Sequence, residues 1–307
     1  MIRSLHHVGI TVPDLKAGED FYTAFGLNSR ECGNDLAFRP KQREQDQIRL
    51  IEGPHKRLSY ISFTTNREGM ETAKSRLANA GVALREAPFD IPFGGTWFQD
   101  PDDTWVHLQE LEPAPVLAPA ATAVNVHGNR QRVGIRAADT SSASKRAEPL
   151  RLGHLIKFTP DVPRATRFYT EVLGMKVSDQ AADLLAFLRC SNGGDHHTLG
   201  LNKSSHTGVH HLSFEVGTLD EIELGARRLI EKGYTHGLGP GRHVAGSNFF
   251  HYIRDPWNGL AEYSWDMDVI PEDCDWTPLD SSPEGLLAVW MTAPPTEEFF
   301  INYEPRD

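Results

Sequence analysis

Three side chains spread over the second half of the sequence share a chemistry. His154 stands in the apolar stretch "LGHLIKFT", His211 in "GVHHLSFEV" and Glu262 in "GLAEYSW". Two imidazoles and one carboxylate form a ligand set suited to Fe(II), with coordination positions left open for substrate and oxygen. Each residue falls in a short run rich in β-branched and aromatic side chains that reads as a strand. Neighbouring strands can therefore bring them together across a long separation in sequence. The spacing alone does not single out a metal, because three such residues occur in most chains.

Strand alternation sharpens the choice between the two adjacent histidines. Successive side chains of a strand point to opposite faces. In residues 208–216 that puts His210, Leu212, Phe214 and Val216 on one face, and Val209, His211, Ser213 and Glu215 on the other. The first face suits packing against helices, and the second is polar enough to line a water-accessible cavity. His211 is thus the candidate ligand, and His210 is expected to be packed or hydrogen-bonded on the apolar face.

The elements that must position these residues repeat along the chain. The segment "LHHVGITVPDLKAGEDFYTAFGL" begins at Leu5 and "LGHLIKFTPDVPRATRFYTEVLGM" at Leu152, an offset of 152 − 5 = 147. At that offset His7 meets His154, Pro13-Asp14 meets Pro160-Asp161, and Phe21-Tyr22-Thr23 meets Phe168-Tyr169-Thr170. Both copies read as a strand, a turn at Pro-Asp, and an amphipathic helix ending near Gly26 or Gly174. "LSYISFTTNREGMETAKSRLANAGV" resembles "HHLSFEVGTLDEIELGARRLIEKGY", each a strand followed by a helix with a glycine near its end. "WFQDPDDTWVHLQE" resembles "YIRDPWNGLAEYSW", each a strand, an Asp-Pro turn and another strand. The chain accordingly divides into a first module over 1–112, an Ala/Pro/Ser-rich linker over 113–150, a second module over 151–266, and a tail over 267–307. The tail is expected to be extended, without a helix, and packed near the active site.

Composition narrows the function classes. The 307 residues carry a formal net charge of −11, which repels nucleic-acid backbones. No apolar run approaches the roughly 20 residues that cross a bilayer, and the N-terminus has no signal-peptide core. Three scattered cysteines imply no disulfide framework. The expectation is a cytoplasmic protein without nucleic-acid or membrane partners.

The segments "LGHLIKFTPD", "DHHTLGL", "GVHHLSFEV", "GPGRHVAGSNFFHYIRDP" and "GLAEYSW" resemble those of type I extradiol dioxygenases, of the vicinal-oxygen-chelate superfamily. The resemblance covers nearly the whole chain. It implies an α+β fold of two tandem modules, each built of paired βαβββ units forming a curved, funnel-like mixed sheet with outer helices. It implies iron ligands His154, His211 and Glu262. His197 matches the family's acid–base histidine, and His196 before it is expected on the opposite strand face. His243 matches a histidine near the substrate hydroxyl, and Tyr252 the tyrosine that hydrogen-bonds the substrate or an oxygen-derived intermediate. The implied cofactor is Fe(II), with Mn(II) compatible with the same ligands, and O2 is the co-substrate. The implied substrate is a small catecholic aromatic, opened beside its two hydroxyls, and enzymes of this kind are commonly homo-oligomers.

The chemistry agrees with these roles. Ring cleavage needs a metal with several open positions. A histidine such as His197 titrates in the useful range, and a tyrosine hydroxyl such as Tyr252 can donate to a developing oxyanion. In the first module the ligand positions map to His7, Tyr60 and His107, a poor Fe(II) set without a carboxylate, so one metal per chain is expected. The substrate pocket should be shaped by residues 184–189, residues 244–250 and the tail. Two other readings remain: a glyoxalase-like metal-dependent isomerase or lyase, and a metal-free aromatic-binding protein of the same fold.

Overall fold

The computed structural model describes residues 1–89, 94–115, 123–137 and 147–306. Of the linker expected over 113–150, residues 116–122 and 138–146 lie outside the described residues.

The first half runs β1 (Ser4–Val12), α1 (Leu15–Phe25), β2 (Asn28–Cys32), β3 (Asp35–Arg39), β4 (Ile48–Glu52), β5 (Arg57–Thr65), α2 (Arg67–Asn79), β6 (Thr96–Gln99) and β7 (Trp105–Glu110). Its seven strands form one sheet in the order β2-β3-β4-β1-β5-β7-β6. A short hairpin, β8 (Asn125–Val126) and β9 (Asn129–Arg130), follows. The second half runs β10 (Arg151–Thr159), α3 (Val162–Arg167), β11 (Lys176–Ala181), β12 (Leu185–Arg189), β13 (Gly193–Asp195), β14 (Leu199–Lys203), β15 (Gly208–Glu215), α4 (Leu219–Glu231), β16 (His236–Arg242), β17 (Phe249–Arg254) and β18 (Leu260–Trp265). In each half a central antiparallel pair (β1–β5, β10–β15) is flanked by parallel neighbours, β4 and β7 in one sheet, β14 and β18 in the other. The 147-residue repeat is thus a repeat of sheet topology.

The Pro-Asp pairs start the helices. The Asp14 side chain accepts from the Ala17 N–H and Asp161 from the Arg164 N–H, each satisfying one of a helix's orphan donors. Helix α1 ends at Gly26, whose φ of 114° is open to glycine and costly for other residues. The second copy departs from the first: α3 widens into a π-turn over Phe168–Val172 before the chain turns at Gly174.

The tail wraps the second sheet. Strand β19 (Val269–Pro271) pairs with β13, β20 (Leu279–Asp280) joins the edge at β11, and β21 (Trp290–Met291) joins the other edge at β16. The expectation of a tail without a helix is corrected by α5 (Pro283–Leu287) and a 3-10 turn at Glu297–Phe300. Ser282 caps α5, its side chain accepting from the Gly285 N–H, and Pro283 sits in the first turn, where a missing N–H costs nothing.

The core is continuous between the halves. Phe25 of α1 stacks on Tyr263 of β18 with ring centroids 4.0 Å apart, and the Tyr263 hydroxyl donates to the Phe25 carbonyl. The Asp-Pro turn of each half is held by a lysine of the other: Lys157 pairs with Asp100 and Asp102, and Lys56 with Asp255. The tail adds Glu304, a buried carboxylate that accepts from the Leu58 N–H of β5 and the Val209 N–H of β15.

Candidate metal centre and its cavity

The strand register aligns the ligand candidates. His154 of β10 lies opposite Ser213 of β15, and Ser213 lies beside Glu262 of β18. His211 stands two residues before Ser213, on the same face. Three strands thus deliver three side chains to one place. His154 Nε2 lies 3.1 Å from Glu262 Oε2, His211 Nε2 lies 3.3 Å from the same oxygen, and the two Nε2 atoms are 3.2 Å apart. All three side chains are buried.

Glu262 Oε2 makes no hydrogen bond although it is fully buried. A buried carboxylate oxygen without a donor is costly. The spacing explains the cost. Donors about 2.1 Å from one cation and at right angles stand about 3.0 Å apart, the arrangement of three ligands on one octahedral face. Among the described residues these three are the only His/Cys/Asp/Glu group so assembled. The donor set therefore fits a divalent metal.

The titration states favour the same use. Burial alone would raise the Glu262 carboxyl, but the adjacent His154, His211 and His243 rings outweigh it and hold the group well below the usual carboxylate range. Burial lowers His211 to about 4, against a partial opposing pull from Glu262. The ring is neutral near pH 7, as a metal ligand must be.

The cluster stands in a cavity of about 630 Å³. His197 lies on one side, its ring 4.3 Å from that of His154 and 4.6 Å from that of Phe187. Burial, with His154 and His196 nearby, keeps His197 well below the usual histidine value, so the ring does not titrate near pH 7 as expected but stands neutral, able to accept a proton. On the other side the Tyr252 hydroxyl lies 2.9 Å from His243 Nε2. His243 Nδ1 donates to the Leu287 carbonyl, which can only accept, and this fixes the ring beside the Tyr252 hydroxyl. Burial and the Glu262 charge keep Tyr252 in its neutral form. The structure thus brings together all six residues singled out in the sequence.

The cavity walls come from the expected stretches: Leu185 and Phe187 of β12, Ala245 after β16, and the tail residues Leu286, Met291, Phe299 and Phe300. Most of this lining is apolar.

One expectation about neighbouring histidines needs correction. His210 does not turn away from the site. It lines the same cavity as His211, and their Nδ1 atoms are 2.6 Å apart. The cause is a bulge: β15 pairs His211 with Ile156 and Val209 with Lys157, so His210 is skipped in the register. A bulge interrupts alternation and lets adjacent side chains share a face. His196 and His197 lie just before β14, so strand parity does not apply to them. His196 does point elsewhere, with Nε2 3.0 Å from Asp179 Oδ2 and Nδ1 3.0 Å from His197 Nδ1. Asn248, fully buried with Nδ2 3.4 Å from Glu262 Oε1, was not anticipated, because nothing in its sequence context marks it.

At the corresponding place in the first half the described side chains bond one another. His7 Nε2 lies 2.9 Å from the Tyr60 hydroxyl. His107 bonds Ser62 and the Gly94 carbonyl, and stacks on Trp97 at 4.3 Å. Here the three positions are taken up by hydrogen bonds and aromatic packing.

Residues 4–108 and 151–263 both match the Glyoxalase/Bleomycin resistance protein/Dioxygenase superfamily. Metapyrocatechase 2 of Cupriavidus necator is 37% identical over 305 residues, covering 98% of this chain and 92% of that protein. Biphenyl-2,3-diol 1,2-dioxygenase of Paraburkholderia xenovorans strain LB400 is 26% identical, covering 90% and 91%. Among solved structures, the Mn(II)-bound glyoxalase of Novosphingobium aromaticivorans superposes with a TM-score of 0.79 at 22% identity, covering 98% of this chain and 94% of that one, a likeness of fold.

Proposed function

The chain belongs to the Glyoxalase/Bleomycin resistance protein/Dioxygenase superfamily and, within it, to the extradiol ring-cleaving dioxygenases, and from that premise we propose that His154, His211 and Glu262 hold a catalytic divalent metal, Fe(II), at which a catecholic ring is opened with O2. The observation that carries the assignment is the buried Glu262 Oε2, unbonded and 3.1 and 3.3 Å from two imidazole nitrogens at the head of a cavity. Mn(II) satisfies the same donors, and metal analysis of protein prepared without added metal separates the two.

When bound, the metal supplies a cationic centre with open positions for the catechol oxygens and O2. The protein side chains do the rest. His197 takes a proton from a substrate hydroxyl and returns it later. Tyr252, held by His243, is placed to hydrogen-bond a substrate oxygen or to stabilise negative charge on oxygen as it develops. The apolar walls at Phe187, Leu286 and Phe299 exclude water and clamp the ring.

The cavity also suggests the substrate. A volume of about 630 Å³ with mostly apolar walls has room for a catechol carrying an apolar substituent as large as a second ring. Relative kcat/KM for catechol, 3-phenylcatechol and a carboxylated catechol tests this. The reading predicts that the carboxylated compound is the poorest of the three. A homo-oligomer belongs to the same reading: the apolar Val289 and Trp290 are exposed at edge strand β21, and light scattering on the eluted protein reads the mass.

A further inference from the structure

We propose that His210 is a positioning residue for the metal centre: gripped by the Phe299 carbonyl of the tail, it holds His211 in the tautomer whose Nε2 lone pair faces Glu262. The inference rests on the proposed metal role of His211.

The argument is a chain of donors and acceptors. His210 Nε2 lies 2.9 Å from the Phe299 carbonyl oxygen. A carbonyl can only accept, so His210 Nε2 carries the proton. A neutral imidazole has one N–H, which leaves His210 Nδ1 as an acceptor. The group 2.6 Å from it is His211 Nδ1, which must then be the donor. With its proton on Nδ1, His211 has a lone pair on Nε2, the atom 3.3 Å from Glu262 Oε2 and 3.2 Å from His154 Nε2. A metal-bound histidine needs this tautomer, and the partner of its other nitrogen fixes it.

The local structure is built for this contact. Regular alternation would send His210 and His211 to opposite faces. The bulge at His210 brings their Nδ1 atoms together. The His210 ring is wedged between Phe158 and Phe299, with ring centroids at 5.1 and 4.9 Å. The preceding residue, Val209, is pinned by its N–H to the tail carboxylate of Glu304. Tail docking and the tautomer of His211 are therefore linked: the carbonyl that orients His210 reaches it only when the segment from Phe299 to Glu304 is seated. Strand alternation alone assigns His210 only a packing or hydrogen-bonding role on the apolar face. The hydrogen-bond chain adds a link from that contact to the metal centre.

The test has two arms. In the first, the wild-type, metal-free protein is labelled with 15N-histidine at pH 7.5. Nitrogen shifts should report His211 protonated at Nδ1 and His210 at Nε2; His211 protonated at Nε2 overturns the proposal. In the second, Mn(II) is titrated calorimetrically into wild type, His210→Leu and His210→Asn. The leucine variant should bind roughly 10–100-fold more weakly. The asparagine variant, whose amide oxygen can accept from His211 Nδ1–H, should recover most of that loss. A leucine variant that binds like wild type overturns the proposal. If neither variant folds, the wild-type spectra decide. Wild type that takes up no Mn(II) contradicts the metal reading itself, and the tautomer assignment is then judged on the spectra.

Discussion

Lys157 and Asp100 form an ion pair across the two halves of the chain, and neither side chain is exposed to solvent. Asp102 stands 3.0 Å from the same ammonium, and the Tyr169 hydroxyl donates to Asp100 at 2.9 Å. Lys157 is on β10, three residues beyond His154, so the strand that carries a ligand candidate is bolted to the first half at this point.

Replacing Lys157 by methionine leaves two acidic side chains buried without their shared cation. Removing one partner of a buried pair costs about 3–5 kcal/mol. Urea unfolding of Lys157→Met should show a loss of that order. A loss below about 1 kcal/mol would mean that hydrogen bonds to Asp100 and Asp102 suffice without the lysine.

Stability should fall on mild acidification. Burial lowers His6 and His107 of the first half to about 4, from an ordinary value near 6.5. Between those values the unfolded chain binds protons that the folded one does not, so stability declines as pH drops from about 6.5 and levels off for these groups below about 4. Urea midpoints of metal-free protein at pH 7.5, 6 and 5 should decrease in that order. A midpoint independent of pH over this range would contradict the burial of these rings.

His197→Phe should keep metal and lose rate. The side chain packs on His154 without being one of the three converging donors. Metal content should match wild type while kcat drops by roughly 10²–10⁴-fold, the range for losing a general acid–base group. An unchanged kcat would move the proton chemistry to another residue.

Met291→Trp should narrow the cavity from its tail side. Met291 is half-buried and part of the wall. The kcat/KM ratio of 3-phenylcatechol to catechol should fall roughly 10-fold or more, within the range a hydrophobic pocket can discriminate. If the ratio holds, the second ring lies elsewhere.

Much of the centre is legible in the sequence because it follows from repetition. The offset of 147 that superposes His7 on His154 also superposes β1 on β10, while their partner strands correspond at 213 − 62 = 151, and Asp14 and Asp161 announce the helix starts by their capping chemistry. The face of His210 is not legible in the sequence because a bulge is a property of pairing with the neighbouring strand, and alternation within one strand carries no trace of it. The pairing of His196 with Asp179 depends on a residue from a separate strand. The tail's helix was signalled by Ser282-Pro283, a capping residue followed by a first-turn proline, but the surrounding prolines favour an extended reading. Asn248 reaches Glu262 only through the fold.

The most direct measurement is oxygen uptake by protein reconstituted anaerobically with Fe(II), with 3-phenylcatechol added, alongside Glu262→Ala treated identically. The account predicts one bound iron per wild-type chain, one O2 consumed per catechol, both oxygen atoms of 18O2 in the ring-opened product, and loss of most of the iron and the uptake in the variant. Iron-loaded wild type that consumes no oxygen across a panel of catechols, or a Glu262→Ala protein that retains both metal and uptake, would contradict it.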